Sequence, residues 1–309
     1  MPPAAKLLPA AKPRACAEVA HFSRASFQTC RCAYTDGTSY AGNWRAGRWH
    51  GRGKHTTADG GSYEGGFEGG ERHGQGVLLA SPAATAAEGA AADGAVVMEY
   101  DGGWARGAMA GVGRLVLRSG ETYEGHFEGG RYHGRGVLCA AGGRETEGDF
   151  DAGEASGDAC TVLLPGGGRY EGAVRRGLRE GEGECAFASG DVYAGAWLAD
   201  QRHGLGRWRL VGGGSFEGSW RGDQMQGRGV FTMPSGAVVE GEWEGGVLRG
   251  AATLRGAVSG GELRAGRAVG LQPPSHLQHM GLQPPSHTYG RRRALRGRAV
   301  RGGRLPRRA

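Results

Sequence analysis

No part of this chain stays apolar for long. The richest segments, Thr161–Pro165 and Ala95–Met98, stop far short of the roughly 18 residues that a membrane-spanning helix needs. Cysteine is scarce, with six in 309 residues and only Cys30 and Cys32 close together. That excludes a dense disulfide framework and any paired C-x-x-C zinc spacing, and it favours a reducing, cytoplasmic setting. Prolines number only 12 and glycine does not fall at every third position, which excludes collagen. Uninterrupted helix-forming stretches are missing too: there are 64 glycines, and each costs a helix about 1 kcal/mol relative to alanine. At 39% the hydrophobic share is low, yet seven Trp, nine Tyr and eight Phe are too many for a disordered chain. These exclusions leave a β architecture of glycine and aromatic residues.

Acidic residues are nearly absent from both ends. Residues 1–33 carry Lys6, Lys12, Arg14, Arg24 and Arg31 against Glu18 alone, and residues 263–309 carry no acid at all. The formal charge of +7 therefore belongs to the ends, and the stretch 34–262 is acidic. Attraction to nucleic acid or to an anionic membrane is expected of the ends only. The acid-poor start fits a plain disordered segment and also an organellar transit peptide.

What is present is a repeat. Tyr40, Gly42, Trp44, Gly47, Gly51 and Gly53 recur as Tyr63, Gly65, Phe67, Gly70, Gly74 and Gly76. Further copies start at Tyr100, Tyr123, Tyr170, Tyr193 and Phe216, and two worn copies start at Thr146 and Val239. Successive starts lie 23, 37, 23, 23, 24, 23, 23 and 23 residues apart, the long step holding an Ala-rich insertion at 81–99. Counting the copy's first residue as position 0, the aromatics at 0 and 4 and the glycine at 2 share one face of a strand. The glycine at 7 lies in a turn, and those at 11 and 13 share a face of the returning strand. Each copy is thus predicted to be a β-hairpin whose rings recover buried area by lying over glycine. A further glycine near position 20 (Gly60, Gly120, Gly143, Gly190, Gly213, Gly236) closes the unit.

The string Y-x-G-x-W-x-x-G-x-x-x-G-x-G at this period resembles the MORN repeat family (membrane occupation and recognition nexus). The resemblance covers about residues 34–262. It implies an all-β fold: an elongated, twisted, single-layer antiparallel sheet of consecutive hairpins, whose eighteen strands at about 4.8 Å spacing would extend on the order of 85 Å. The expected organisation is a disordered basic segment at 1–33, the repeat array at 34–267, and a low-complexity, Arg-rich disordered tail at 268–309. The core aromatics are expected to be Tyr40, Trp44, Tyr63, Phe67, Tyr100, Trp104, Tyr123, Phe127, Phe150, Tyr170, Tyr193, Trp197, Phe216, Trp220 and Trp243. Open sheet edges and an exposed aromatic face would favour docking of another chain, and Tyr63 and Trp104, if exposed, would be candidate partner contacts.

Family members that carry catalysis join the repeats to a kinase or SET domain. No kinase catalytic-loop, D-F-G or SET signature occurs here, so the expectation is a protein that is not an enzyme and needs no cofactor or metal. His50, His73, His133 and His203 share position 10, either as a metal or pH-sensing row or as a turn residue reused by each copy. Cys139, Cys160 and Cys185 fall at differing positions and form no column. Position 1 is acidic in seven of nine copies (Glu64, Asp101, Glu124, Glu147, Glu171, Glu217, Glu240), as a solvated face or as a ladder for a basic partner. Arg48, Arg52, Arg72, Arg131, Arg135, Arg179, Arg202, Arg228 and Arg249 form a candidate anionic-ligand rim.

The expected role is a scaffold for other proteins in a cytoskeletal, ciliary or membrane-associated assembly, with self-association through open sheet edges. The alternative is a phosphoinositide-binding adaptor that uses the rim arginines and the tail on anionic phospholipid. Nucleic acid binding is expected only of the Arg-rich tail, whose nine arginines in 290–309 also fit a membrane, an import receptor or no role.

Overall fold

The computed structural model describes residues 13–17, 28–81, 95–258 and 261–269. The expectations for the rest of the ends and for most of the 81–99 insertion lie outside the described residues. The described chain is all β, a single open sheet of 22 strands in which every pairing is antiparallel. Among the described residues no helix is long and apolar enough to cross a membrane.

Each copy is a hairpin, as in Ser62–Glu68 with Glu71–Leu79 and Val192–Leu198 with Gln201–Arg209. The tip is a two-residue turn at positions 6 and 7, both left-handed, as at Gly69 and Gly70 (φ 62° and 96°). This is the turn whose twist matches that of the strands it joins. Five copies place Ala or Arg at position 6 in that conformation, Ala46 (φ 49°) and Arg106 (φ 49°) among them. The copies starting at Thr146 and Val239 are hairpins too, with strands Glu145–Asp151 and Val238–Glu244. The return strand of the former is split into Glu154–Ala155 and Gly157–Leu163 by one extra residue, which accounts for the 24-residue step.

Strand pairing extends past both boundaries expected for the array. Gln28–Tyr34 pairs with Ser39–Arg45, and its Cys32, opposite Tyr40, is buried, so 28–33 is sheet rather than a disordered segment. Pro13–Ala17 pairs with Gln28–Tyr34, and Gly261–Val269 with Val247–Val258.

The tyrosine at position 0 organises each hairpin. Its ring lies flat over the glycines at 2 and 13: a Cβ placed on Gly206 would sit 2.3 Å from the Tyr193 hydroxyl oxygen, and one on Gly195 2.5 Å from the Gly206 Cα. The same contact recurs at Tyr40, Tyr63, Tyr100, Tyr123 and Tyr170, and Phe216 makes it without a hydroxyl. Each tyrosine hydroxyl donates to the carbonyl of position 3, at 2.9 Å for Tyr63 to Gly66 and 3.0 Å for Tyr193 to Ala196.

The aromatic at position 4 stands edge-on to the tyrosine of its own copy and to that of the copy before it. Trp104, for example, is 5.0 Å from Tyr100 and 5.3 Å from Tyr63, both near perpendicular. Such T-shaped pairs are worth about 0.5–1.5 kcal/mol beyond the area they bury. The tryptophan Nε1 donates to the carbonyl of the preceding copy's position 13 glycine, as from Trp104 to Gly76 and Trp197 to Gly183.

A single layer would leave this face wet, but it is dry. Tyr63 is 2% exposed and Trp104 5%, and of the fifteen aromatics named above all but Trp44 are buried. The expectation of an exposed aromatic face is therefore corrected, and the condition for Tyr63 and Trp104 as partner contacts is not met. The cause lies at the same place in most hairpins, where a bulge interrupts pairing between positions 2 and 4 and the glycine at 11 is left-handed. Bulges bend strands, and in register they crease the sheet so that position 9 comes down over the ring at position 0. Trp49 stacks on Tyr40 at 4.6 Å and Tyr132 on Tyr123 at 4.0 Å.

Two outcomes follow. Gly206→Ala forces a Cβ into the Tyr193 ring and should destabilise the chain by about 2–3 kcal/mol, an overpacking cost, whereas Gly47→Ala, with open space around it, should cost about 1 kcal/mol for its left-handed backbone alone; denaturant titration of both checks this. Burial also pushes the phenols of Tyr63, Tyr123 and Tyr170 up to about 12, and those of Tyr40, Tyr100 and Tyr193 up as well. Since the folded chain holds these protons more tightly than the unfolded one, the contribution is whole below about pH 10 and is lost as pH rises through about 12. Tyrosinate absorbance should then appear together with loss of the β signal. Smooth tyrosine titration near pH 10 in a chain that stays folded would contradict it.

Candidate functional site: the two faces of the sheet

Position 9 roofs the aromatic column and varies from copy to copy. It is Trp49, Arg72, Met109, Tyr132, Ala155, Arg179, Arg202, Met225 and Leu248 in turn. Where it is arginine, the guanidinium lies over rings: Arg179 is 4.1 Å from Trp197, Arg202 4.3 Å from Trp220 and Arg72 4.8 Å from Trp104. Burial pulls Arg72 and Arg202 below the usual arginine range, opposed at Arg202 by Asp223.

The tip of the next hairpin completes the arrangement for two of the three arginines. Asp200 and Asp223 replace glycine at position 7 and keep its left-handed backbone (φ 68° and 65°). Asp223 Oδ1 accepts from the Arg202 backbone N–H and from Nε, both at 3.0 Å, while Arg202 Nη2 donates to the Asp223 carbonyl at 2.9 Å. Asp200 holds Arg179 in the same way. A second cation, Arg144, approaches Asp200 at 3.6 Å and donates to the Gly177 carbonyl. The sequence signal for these clamps was Arg at position 9 with Asp twenty-one residues later, in place of an otherwise regular glycine.

The rim arginines thus divide. Arg72, Arg179 and Arg202 belong to the roof of the aromatic column. Arg48, Arg52, Arg131, Arg135, Arg228 and Arg249 are exposed, and three of them reach carboxylates: Arg135 to Glu147 at 3.8 Å, Arg228 to Glu242 at 3.4 Å and Arg249 to Glu244 at 3.2 Å. In the histidine row, His73 lies 3.3 Å from Glu68, and His133 lies 3.4 Å from Glu128 and 3.8 Å from Asp151. Among the described residues no three His, Cys, Asp or Glu side chains group to hold a metal. Cys160 and Cys185 are buried, and burial pushes both thiols up.

The opposite face is polar. The position 1 acids are exposed and stand on alternate strands, with position 14 residues between them: Lys54 is directly opposite Glu64, Arg114 opposite Asp101 and Glu124, and Arg207 opposite Glu217. A shallow depression of about 540 Å³ on this face is lined by Val112, Arg114, Glu124, Arg135, Val137 and Glu147 among others.

The clamps carry a testable rule. Asp223→Ala should destabilise the chain by about 3–5 kcal/mol, because it leaves the Arg202 charge buried without its partner. Arg72 lacks the aspartate because position 7 of the following copy is Gly107, which has open space around it. Gly107→Asp should therefore supply the missing clamp and raise stability by about 1 kcal/mol, the pairing outweighing the cost of a left-handed aspartate. Thermal unfolding of both variants checks this, and a destabilised Gly107→Asp would refute the rule.

The MORN repeat profile matches residues 40–62, 63–81, 100–122, 123–144, 170–192, 193–215 and 216–238, just over half of the chain. Curated proteins give no match. Among solved structures, the chain is similar to the TCP10 domain of Danio rerio CPAP in complex with a peptide of Danio rerio STIL, at 12% identity and a TM-score of 0.37, over 69% of this chain and 88% of that one. It is also similar to the SAS-4 (dCPAP) TCP domain of Drosophila melanogaster in complex with a proline-rich motif of Ana2 (dSTIL), at 14% identity and a TM-score of 0.30, over 62% of this chain and 90% of that one. TM-scores this low carry nothing over to the present chain. The period, the tyrosine-over-glycine hairpins and the profile agree, and the chain belongs to the MORN repeat family.

Proposed function

We propose that this protein is a non-enzymatic scaffold that presents the polar face of its sheet to protein partners in a cytoskeletal, ciliary or membrane-associated assembly. The observation that carries the reading is the asymmetry of the two faces. Aromatic side chains, the usual anchors of association, are consumed inside the sheet, whereas the opposite face repeats exposed charged and aliphatic side chains across consecutive hairpins. A regular surface of this kind suits a partner that lies across many strands better than a small substrate held in a pocket. Membership of the MORN family supports the reading, since the profile matches here are to repeats alone.

The phosphoinositide alternative draws on exposed Arg48, Arg52 and Arg131, and the two readings separate by experiment. The full chain should recover a defined set of proteins from lysate and should not float with phosphoinositide-containing liposomes at physiological salt. Arg48→Glu combined with Arg131→Glu should leave that recovery unchanged. Flotation abolished by this double variant would favour the lipid reading, and lysate recovery no different from an unrelated β protein would remove the scaffold reading.

A further inference from the structure

The polar face is not uniform. Position 14 and 16 side chains on the return strands, together with position 12 of one copy, give Val77, Leu79, Val112, Val116, Val137 and Cys139, a set of apolar or weakly polar groups on strands Glu71–Leu79, Ala108–Leu117 and Arg131–Cys139. Val112 is 58% exposed and Leu79 47%. The strands between them carry carboxylates at the facing positions: Glu99 and Asp101, then Glu124, then Glu145, Glu147 and Asp149. Apolar and acidic strands therefore alternate, and the 540 Å³ depression lies among them.

Charge compensation is sparser here than on the rest of the face, although among the described residues Glu217 there also has no cation within 4 Å. Farther along the sheet Glu171, Glu184, Glu240 and Glu242 each have an arginine within 4 Å, and Lys54 reaches Glu64 at the other end. In the middle, among the described residues, only Glu147 of the six carboxylates has a cation in that range, Arg135 at 3.8 Å. Of the arginines between residues 77 and 149, Arg114 stands opposite Asp101 and Glu124, and Arg135 opposite Asp149; the six carboxylates outnumber these two, so the face is locally acidic here as well as partly apolar.

Resting on the scaffold reading, we infer that this stretch, from Val77 to Asp149, docks a basic amphipathic α-helix of a partner protein. The match is one of chemistry and of period. Equivalent side chains recur every second strand, about 9.6 Å apart. A helix laid across the strands returns the same face every two turns, about 10–11 Å. Its aliphatic residues then meet Leu79, Val116 and Cys139, which share position 16 on alternate strands, while lysines or arginines on the flank of the helix meet Asp101, Glu124 and Glu147 in the adjoining row. An acidic helix would be repelled, and an extended strand, whose faces recur at about 6.8 Å, falls out of step.

The test uses the full chain and two synthetic peptides of about 20 residues: a leucine and lysine helix patterned in heptads, and a scramble of the same composition. Fluorescence anisotropy should show the patterned peptide binding about tenfold more tightly than the scramble. Glu124→Lys with Val137→Lys should remove about tenfold of that affinity, and so should Leu79→Lys, a change at a half-exposed side chain of the apolar row. Glu217→Lys with Val230→Lys, the same two positions outside this stretch, should change it little.

Equal binding of the scramble, equal loss in both paired variants, or no binding of the patterned peptide would each overturn the inference. Lysate recovery that survives Glu124→Lys with Val137→Lys would leave the scaffold reading standing and move its site off this face. No specific recovery by the unsubstituted chain would remove the scaffold reading whatever the peptide does.

Discussion

A tyrosine ring lying flat on two glycines is the contact on which this sheet depends. It requires the absence of a Cβ at positions 2 and 13, it fixes the register of each hairpin, and it places the hydroxyl where it satisfies a carbonyl at position 3. Glycine weakens a strand when nothing covers it. Here the covering group is built into the same copy, so the residue that would destabilise an ordinary strand is the one the packing needs.

The second constraint is that a single layer must bury its own apolar face. Bulges aligned across successive hairpins crease the sheet, and position 9 roofs the column. The roof tolerates Trp, Tyr, Met, Leu and Arg because each supplies a flat or long apolar surface, and arginine does so with its guanidinium over rings. A buried guanidinium is steadied by an anion, and two of the three arginines receive one from a hairpin tip that exchanges glycine for aspartate. The same logic makes the column discontinuous: between Phe150 and Tyr170 the rings give way to Thr146, Val162 and Val174, all buried.

Much of the fold was legible because the repeat is periodic in both its large and its missing side chains. The hairpin, its tip at position 7 and the ring-over-glycine packing all follow from the spacing of Tyr, Gly and Trp. The worn copies at Thr146 and Val239 were legible from period even where tyrosine is lost. What the spacing did not disclose was the crease, since a bulge depends on register between strands rather than on residue type. For that reason the sequence alone leaves the aromatic face open and does not separate Arg72, Arg179 and Arg202 from the exposed rim arginines. The strand Gln28–Tyr34 carries no motif to read, because Gln28 and Cys30 stand where other copies have glycine. The uneven compensation of the polar face was likewise invisible, because ion pairs there join side chains on different strands.

The central claim is that the aromatic column is internal to one chain and not an interface awaiting another copy. Five of the seven tryptophans, Trp104, Trp197, Trp208, Trp220 and Trp243, are buried in the isolated chain. Acrylamide quenching of tryptophan emission, measured across a dilution series beside sedimentation velocity, tests this directly. Blue-shifted, weakly quenched emission should persist unchanged in the monomer. Emission that becomes red-shifted and freely quenched as the chain dissociates to monomer would show that a second copy, and not the crease, covers the aromatic face.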